Sequence, residues 1–321
     1  MDEFELIRCY FAPLSPARPD VVLGIGDDAA LLAPAAGHQL AVTSDTLIAG
    51  RHFPVDTAPF DIGWKALAVN LSDLAAMGAR ARWFTLALTL PDLDRPWLAG
   101  FAAGLKALAA DADVALVGGD TTRGPLSVTI TAIGEVPAGR ALRRSGARPG
   151  DRIAVSGTLG DAAAALRQWQ RGDAVVGEGQ RRLRARLDRP SPRLALGLAL
   201  RDLAHAAIDL SDGLAADLGH VLDASGVGAA IQAAQLPTSA ELLIAEPDAD
   251  ARQRLQLAGG DDYELCLTVP ASRWIAAQQA AATLGLSLTD IGEIVQTRGF
   301  SVYDGNGAPL RFTEAGYRHF P

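Results

Sequence analysis

Aspartate recurs where the apolar runs of this chain stop: at Asp27-Asp28, Asp45, Asp73, Asp120, Asp209 with Asp212, and Asp261-Asp262. Several of these stand beside glycine or a hydroxyl residue, as in Gly24-Ile25-Gly26-Asp27-Asp28, Thr43-Ser44-Asp45-Thr46 and Gly118-Gly119-Asp120-Thr121-Thr122. Short apolar runs closed by Gly and Asp read as β-strands that end in turns. Taken singly, an Asp beside Gly is most often a solvated turn or a helix cap. Six such sites in one chain ask for more. Carboxylates that converge repel one another unless hard cations neutralise them, and Mg²⁺ takes oxygen ligands while keeping places for water and phosphate.

The intervening pattern is that of an α/β chain with separated elements. Strands are predicted at 21–26 and 39–43, around a turn at 34–37. A helix is predicted over 61–77, with an acidic start and Gly78 to stop it. A strand at 82–90 is closed by Pro91, and an alanine-rich helix follows over 96–110. Strands at 114–117, running into Gly118-Gly119-Asp120, and at 127–136 complete the first half. Asp73 falls inside a helix, where Asp has poor propensity, with Asn70 one turn earlier on nearly the same face; an exposed surface position and a functional one are equally open there. A basic, turn-rich stretch at 140–151 marks the boundary between two domains, 1–138 and 139–321, a division that suits 321 residues. The second half is predicted as a strand at 152–156, a helix from Asp161, a polar arginine-rich segment at 170–189 and a helix at 193–204. A strand ending at Asp209, a helix starting near Ser211 and a strand at 263–269 follow. Gly-Gly-Asp occurs at both 118–120 and 259–261, which hints at two related halves.

Composition removes several function classes. The formal charge of −8 gives no general attraction to nucleic acid or an anionic membrane. Only Cys9 and Cys266 are present, far apart, which excludes a disulfide framework and any Cys-x-x-Cys site and fits a reducing compartment. Acids stand near the first Met where a signal peptide needs basic charge, and no apolar run reaches membrane-spanning length; a soluble, cytoplasmic protein is expected. All but two of the 29 basic residues are arginine, and neither Lys65 nor Lys106 follows a glycine, so a Walker A loop is impossible. Gly24-x-Gly26-x-x-Ala29 matches a dinucleotide fingerprint, but Pro34 arrives too soon for the helix of a βαβ unit, and its two acids repel a pyrophosphate that comes without metal. With metal bound, the same loop is a phosphate site.

Arg143 and Arg144 are the best candidates for direct phosphate contacts, because guanidinium binds phosphate bidentately; the plain alternative is a solvated basic loop. His52 is a lone histidine, a type more often structural than functional. Ser211 or Asp212 could cap the helix that follows them, or their turn could present a carboxylate and backbone N–H groups to a metal–phosphate complex. No His-Asp pair suited to general-base work is evident.

Several phrases together resemble the thiamine-monophosphate kinase family: Leu23-Gly-Ile-Gly-Asp-Asp-Ala-Ala, Thr43-Ser-Asp-Thr-Leu, Lys65-Ala-Leu-Ala-Val-Asn-Leu-Ser-Asp-Leu-Ala-Ala-Met-Gly, Gly118-Gly-Asp-Thr-Thr-Arg-Gly-Pro, Ile208-Asp-Leu-Ser-Asp-Gly-Leu, Asp262-Tyr-Glu-Leu-Cys and Gly316-Tyr-Arg-His-Phe. They run in order over nearly the whole chain. The acidic motifs alone fit the wider superfamily of aminoimidazole ribonucleotide synthetase, whose members include enzymes that use ATP to activate a carbonyl or amide oxygen. The resemblance implies an α/β (α+β) fold of two domains. Residues 1–138 would bind ATP and Mg²⁺ and pair with a second copy into a β-barrel, and residues 139–321 would complete the cleft. It implies a homodimer, ATP as co-substrate, thiamine monophosphate as acceptor, several Mg²⁺ and an assisting monovalent cation such as K⁺.

Carried onto matching positions, Asp28, Thr43, Ser44, Asp45, Asp73, Asp120, Asp209 and Asp212 are the implied metal ligands, with Asp27 an additional contact. Gly119, Asp120, Arg144 and Ser211 are implied for ATP, and His52, Asp261 and Tyr317 for thiamine monophosphate. No residue is implied as general base; metal and Arg144 would carry the charge. Asp261 stands where the family commonly has Glu, one methylene longer. A catalytically silent nucleotide-binding protein is the competing reading from another class.

Overall fold

The computed structural model describes residues 3–310. Two compact units are present, one built from the chain up to Leu74 and from Ala79 to Gly139, the other from Ala75–Gly78 and the chain from Arg140 onward. The architecture is mixed α/β, with one main sheet in each unit.

The first unit carries a four-stranded sheet in the order His38–Ile48, Ser127–Pro137, Arg80–Leu90, Ala115–Arg123. Its parallel pair, Arg80–Leu90 with Ala115–Arg123, is connected through the helix Arg95–Asp111. Asp94 caps that helix by accepting the Trp97 N–H, and Pro96 occupies its first turn. The helix Pro59–Ala76 ends at Gly78, whose φ of +60° suits glycine and whose N–H returns to the Ala75 carbonyl. The two helices approach through glycine: a Cβ at Gly63 would lie 2.1 Å from the Phe101 oxygen, and one at Gly104 would lie 1.9 Å from the Phe60 oxygen.

Two strands run well past their predicted ends at 43 and 117. His38–Ile48 continues through Thr43-Ser44-Asp45, because its residues 38 to 48 pair without interruption with 137 to 127. Hydroxyls stabilise that continuation across the strands, Ser44 with Thr131 at 3.0 Å and Thr46 with Thr129 at 2.8 Å. Ala115–Arg123 likewise runs through Gly118-Gly119-Asp120. Gly119 is required there: its φ is +151°, and a Cβ would stand 1.8 Å from the Leu86 oxygen.

In the second unit seven strands form one sheet, ordered Pro309–Leu310, Gly299–Tyr303, Gly228–Gln232, Leu288–Val295, Asp151–Ser156, Leu265–Pro270, Ala206–Asp209. Strand alternation gives it an apolar core on each face. Ile153 and Val155 join Ile208, Ile231 and the helix Leu214–Ser225 on one side; Ala154 joins Leu265, Leu267, Leu200 and Trp274 on the other. The arginine-rich segment contains a helix, Glu178–Asp188, with Leu183 and Leu187 buried and arginines on its remaining faces. The helix predicted at 193–204 is shorter, Leu194–Leu200. The repeated Gly-Gly-Asp does not mark equivalent places, since 118–120 lies within a strand and 259–261 in the loop before one. Among the described residues no helix is long and apolar enough to cross a membrane.

Candidate active site

The acids singled out above fall into three groups. The first lies along the edge strand Ala115–Arg123, where Gly119 and Asp120 border a cavity of about 630 Å³. Phe11, Leu86 and Val117 give it apolar walls, and Asp27 and Asp28 stand at its margin. Asp27 turns back to accept the Asp28 N–H at 2.8 Å, so this acidic turn is locally ordered although both residues are exposed.

The second group belongs to the opposite edge strand, His38–Ile48, and the helix Pro59–Ala76. Thr43 donates its hydroxyl to Asp73, and the Asp45 N–H donates to Asn70 Oδ1 at 3.0 Å. Asn70 is fully buried and donates in turn to the Ala66 carbonyl at 3.0 Å. Asn70 is therefore the strut that fixes the strand against the helix, and Asp73, half-buried, is held beside Thr43 by the same geometry. Ser44 points to the other face of the sheet, to Thr131, so strand alternation separates its hydroxyl from the Thr43 hydroxyl and the Asp73 carboxylate. His52 closes the turn after this strand, its Nδ1 accepting the Ile48 N–H at 2.9 Å; a ring proton then resides on Nε2.

Asp45 and Asp120 stand on opposite edges of a four-stranded sheet, three strand spacings or about 14 Å apart. One copy of the chain cannot bring both carboxylates to one cation. Among the described residues no three His, Cys, Asp or Glu side chains are already gathered into a metal cage.

The third group sits at one end of the seven-stranded sheet. Asp209, nearly buried, ends its strand, and Ser211 and Asp212 follow in the turn before the helix Leu214–Ser225. Neither caps that helix. Asp217, one turn inside, accepts the N–H groups of Ser211, Asp212 and Gly213 at 2.9, 3.0 and 3.1 Å, so these amides are turned inward and do not form an anion cradle. Burial pushes the Asp217 carboxyl up to about 7; the three N–H donors oppose that and the Asp212 charge adds to it. The Asp261 N–H donates to the Ser211 oxygen and the Tyr263 N–H to the Leu210 oxygen, both at 2.8 Å, which places Asp261 beside Ser211 and Asp212.

Arg143 and Arg144 are exposed in the turn-rich segment, anchored through their backbones: the Arg143 oxygen accepts from Ala207 N and the Arg144 oxygen from the Ser225 hydroxyl. Tyr317 lies outside the described residues. A His-Asp pair does exist, His205 Nδ1 with Asp151 Oδ2 at 2.9 Å. It joins residues near the end of the sheet opposite Asp209 and Asp261, and two residues far apart in sequence give no motif to find it by. Asp217 likewise carries no motif, whereas Asn70 is legible from sequence as the helix neighbour of Asp73 and Glu264 as part of Asp262-Tyr-Glu-Leu-Cys; what spacing does not show is that each fixes the local geometry.

Comparison with known proteins bears on the family and the fold. Residues 26–136 match the AIR synthase related protein, N-terminal domain, and residues 148–305 the corresponding C-terminal domain. The chain is 50% identical over 319 residues to thiamine-monophosphate kinase of Salmonella typhimurium, covering 99% of this chain and 98% of that one. The crystal structure of thiamine-monophosphate kinase from Stenotrophomonas maltophilia K279a superposes with a TM-score of 0.89 at 52% identity, over 97% of this chain and 98% of the other. AaThiL complexed with AMPPCP and TMP superposes with a TM-score of 0.80 at 32% identity, over 99% and 97%. In sequence and in fold the chain belongs to the thiamine-monophosphate kinase family, and it is an enzyme of that class.

Proposed function

We propose that the chain transfers the γ-phosphoryl group of ATP directly to the phosphate of thiamine monophosphate. The P–O bond to the β-phosphate breaks, a P–O bond forms to an acceptor phosphate oxygen, and ADP and thiamine diphosphate leave. The acceptor oxygen is anionic near neutral pH, so no residue has to remove a proton. The work left to the protein is alignment of two polyanions and compensation of their charge.

The observation that carries this reading is the acidic margin of an apolar cavity: a wall of Phe11, Leu86 and Val117 suits a purine, and Asp27, Asp28 and Asp120 border it. Carboxylates beside a polyphosphate make sense only with cations between them. Asp28, Thr43, Asp45, Asp73, Asp120, Asp209 and Asp212, with Asp27 adjoining, offer oxygen donors alone, the chemistry that Mg²⁺ selects; Ser44 joins them only for a cation on its own sheet face. Mg²⁺, when bound, neutralises phosphate charge and orients the chain of phosphates. Gly119, on the cavity wall, places its backbone beside ATP, Ser211 contacts it, and Arg144 places a guanidinium against phosphate. His52 and Asp261 hold thiamine monophosphate, Asp261 as counter-charge to its cationic ring and Tyr317 as an aromatic face for it. K⁺ assists as a monovalent cation, and the enzyme works in the cytoplasm as a homodimer paired through its N-terminal units. That pairing is supported by the exposed apolar residues Leu40, Val42 and Ile48 on the edge strand His38–Ile48.

The test is direct. Purified protein is mixed with ATP, Mg²⁺ and thiamine monophosphate, with free thiamine in a parallel reaction, and thiamine diphosphate is followed by chromatography. Product from the monophosphate alone, abolished by EDTA, is the expected result. Folded protein that binds ATP and makes no diphosphate would point to the superfamily enzymes that activate a carbonyl or amide oxygen.

A further inference from the structure

The loop 259–263 is held in an unfavourable backbone conformation. Among the described residues only three that are not glycine have positive φ, and two of them are here: Asp261 at +68° and Tyr263 at +48°. A tyrosine in the left-handed region is a costly choice, and it persists only where surrounding contacts over-determine it.

The contacts converge on Glu264, the next residue, whose side chain is fully buried. Arg193 grips its carboxylate with two nitrogens, Nε to Oε2 at 2.7 Å and Nη2 to Oε1 at 2.5 Å. Arg186, from the arginine-rich helix Glu178–Asp188, adds a contact to Oε1 at 2.8 Å. The Ser156 hydroxyl donates to Oε2 at 2.6 Å and accepts the Leu265 N–H at 2.9 Å. The Glu264 main-chain oxygen accepts from Leu210 N at 2.9 Å, and a Cβ at Gly157 would lie 2.2 Å from Oε1. Three neighbouring strands, Asp151–Ser156, Leu265–Pro270 and Ala206–Asp209, thus meet at one end at Glu264, its carboxylate holding Ser156 and its main-chain oxygen holding Leu210, next to the loop. A fork-to-fork arginine pair of this kind fixes orientation as well as distance.

We propose that Glu264 is a positioning residue for the acceptor substrate: gripped by Arg193 and Arg186, its buried carboxylate holds the loop 259–263 in the left-handed conformation that presents Asp261. The inference rests on the reading of Asp261 as a contact to thiamine monophosphate. Glu264 itself touches no substrate. It also explains the arginine-rich segment: Arg186 and, just beyond the helix, Arg193 serve the loop, while Arg181 and Arg182 pair with Glu178 on the surface.

The test is a kinetic cycle on the full-length enzyme with Asp261→Ala, Glu264→Gln and both together, with Arg193→Lys as a milder variant that keeps the charge and loses the fork. Glu264→Gln should raise KM for thiamine monophosphate about tenfold, with kcat and KM for ATP within about twofold of the parent. Arg193→Lys should move the same constant in the same direction by a smaller factor. The double variant should match Asp261→Ala, because Glu264 acts through that residue. Additive effects would overturn the proposal, and so would a Glu264→Gln or Arg193→Lys enzyme that loses only thermal stability while KM stays at the parent value. Should Asp261→Ala alone leave KM for thiamine monophosphate unchanged, the substrate reading of Asp261 fails first and Glu264 has nothing to present. Should the parent enzyme make no thiamine diphosphate, the function itself is wrong. The four results are separable.

Discussion

Asp261 and Asp262 are adjacent and have opposite fates. Asp261 is half-buried beside Ser211, whereas Asp262 is 3% exposed and accepts the Gly160 N–H with both oxygens, at 3.1 and 2.9 Å. Burial drives the Asp262 carboxyl well above its ordinary 3.8; the Gly160 donor and Arg186 pull it down, and Asp161 and Glu264 push it further up. A raised folded-state value means that the native protein keeps a proton the unfolded chain has released. The stability this supplies is fully present below the unfolded value near 4 and is lost as pH rises through the folded one. Asp262→Asn cannot titrate and keeps an acceptor for Gly160. The parent should therefore lose stability relative to Asp262→Asn as pH rises from about 4 into the neutral range, read as urea midpoints across that interval. Parallel midpoints would mean that Asp262 is ionised in the folded protein at all these pH values. From sequence the two acids formed one motif. The side on which each carboxylate lies is set by a positive φ at Asp261, which no local pattern of side chains announces.

At the scale of elements, the close crossing of two helices makes a sharp demand. Gly63 and Gly104 each face a backbone carbonyl of the other helix at about the distance where a Cβ would overlap it, so side-chain rotation offers no relief. Gly104→Ala should destabilise the first unit by about 3 kcal/mol through forced separation of Pro59–Ala76 and Arg95–Asp111. Differential scanning calorimetry would show it as a lowered transition, and an unchanged one would mean that the helices slide apart freely. Helix existence was readable in advance because periodicity, Pro96 at the start of one helix and Gly78 at the end of the other are local signals. Strand length was not. The predicted strands end at Thr43 and Val117, yet Ser44-Asp45 and Gly118-Gly119-Asp120 are strand as well, because partners across the sheet complete their hydrogen bonds. The helix Glu178–Asp188 was missed for a related reason: its apolar stripe is reduced to Leu183 and Leu187, and two of its arginines, Arg182 and Arg186, find acids elsewhere in the second unit.

Whole-molecule organisation decides whether the acids of the first unit can serve one reaction. Asp45 and Asp120 occupy opposite edges of one sheet, so a shared cation is out of reach within a single copy. Closure of two such sheets into a barrel would set the His38–Ile48 edge of one copy beside the Ala115–Arg123 edge of the other, and each site would then draw Asp45 from one copy and Asp120 from its mate. The consequence is measurable with two variants, Asp45→Ala and Asp120→Ala, each expected to be nearly inactive alone with its fold intact. Mixed through subunit exchange, half of the dimers are hybrid, and each hybrid holds one site with both defects and one with neither. Activity should return to about a quarter of the parent value. No recovery, in a mixture shown by tagged subunits to contain hybrids, would mean that each copy builds its sites alone and that Asp45 and Asp120 act on different cations. Full-length parent protein that sediments as a monomer at assay concentration and still turns over would lead to the same conclusion by another route. The sequence could name both aspartates but not their places on opposite edges of one sheet, because strand order is a property of the folded sheet and leaves no trace in the spacing of two acids.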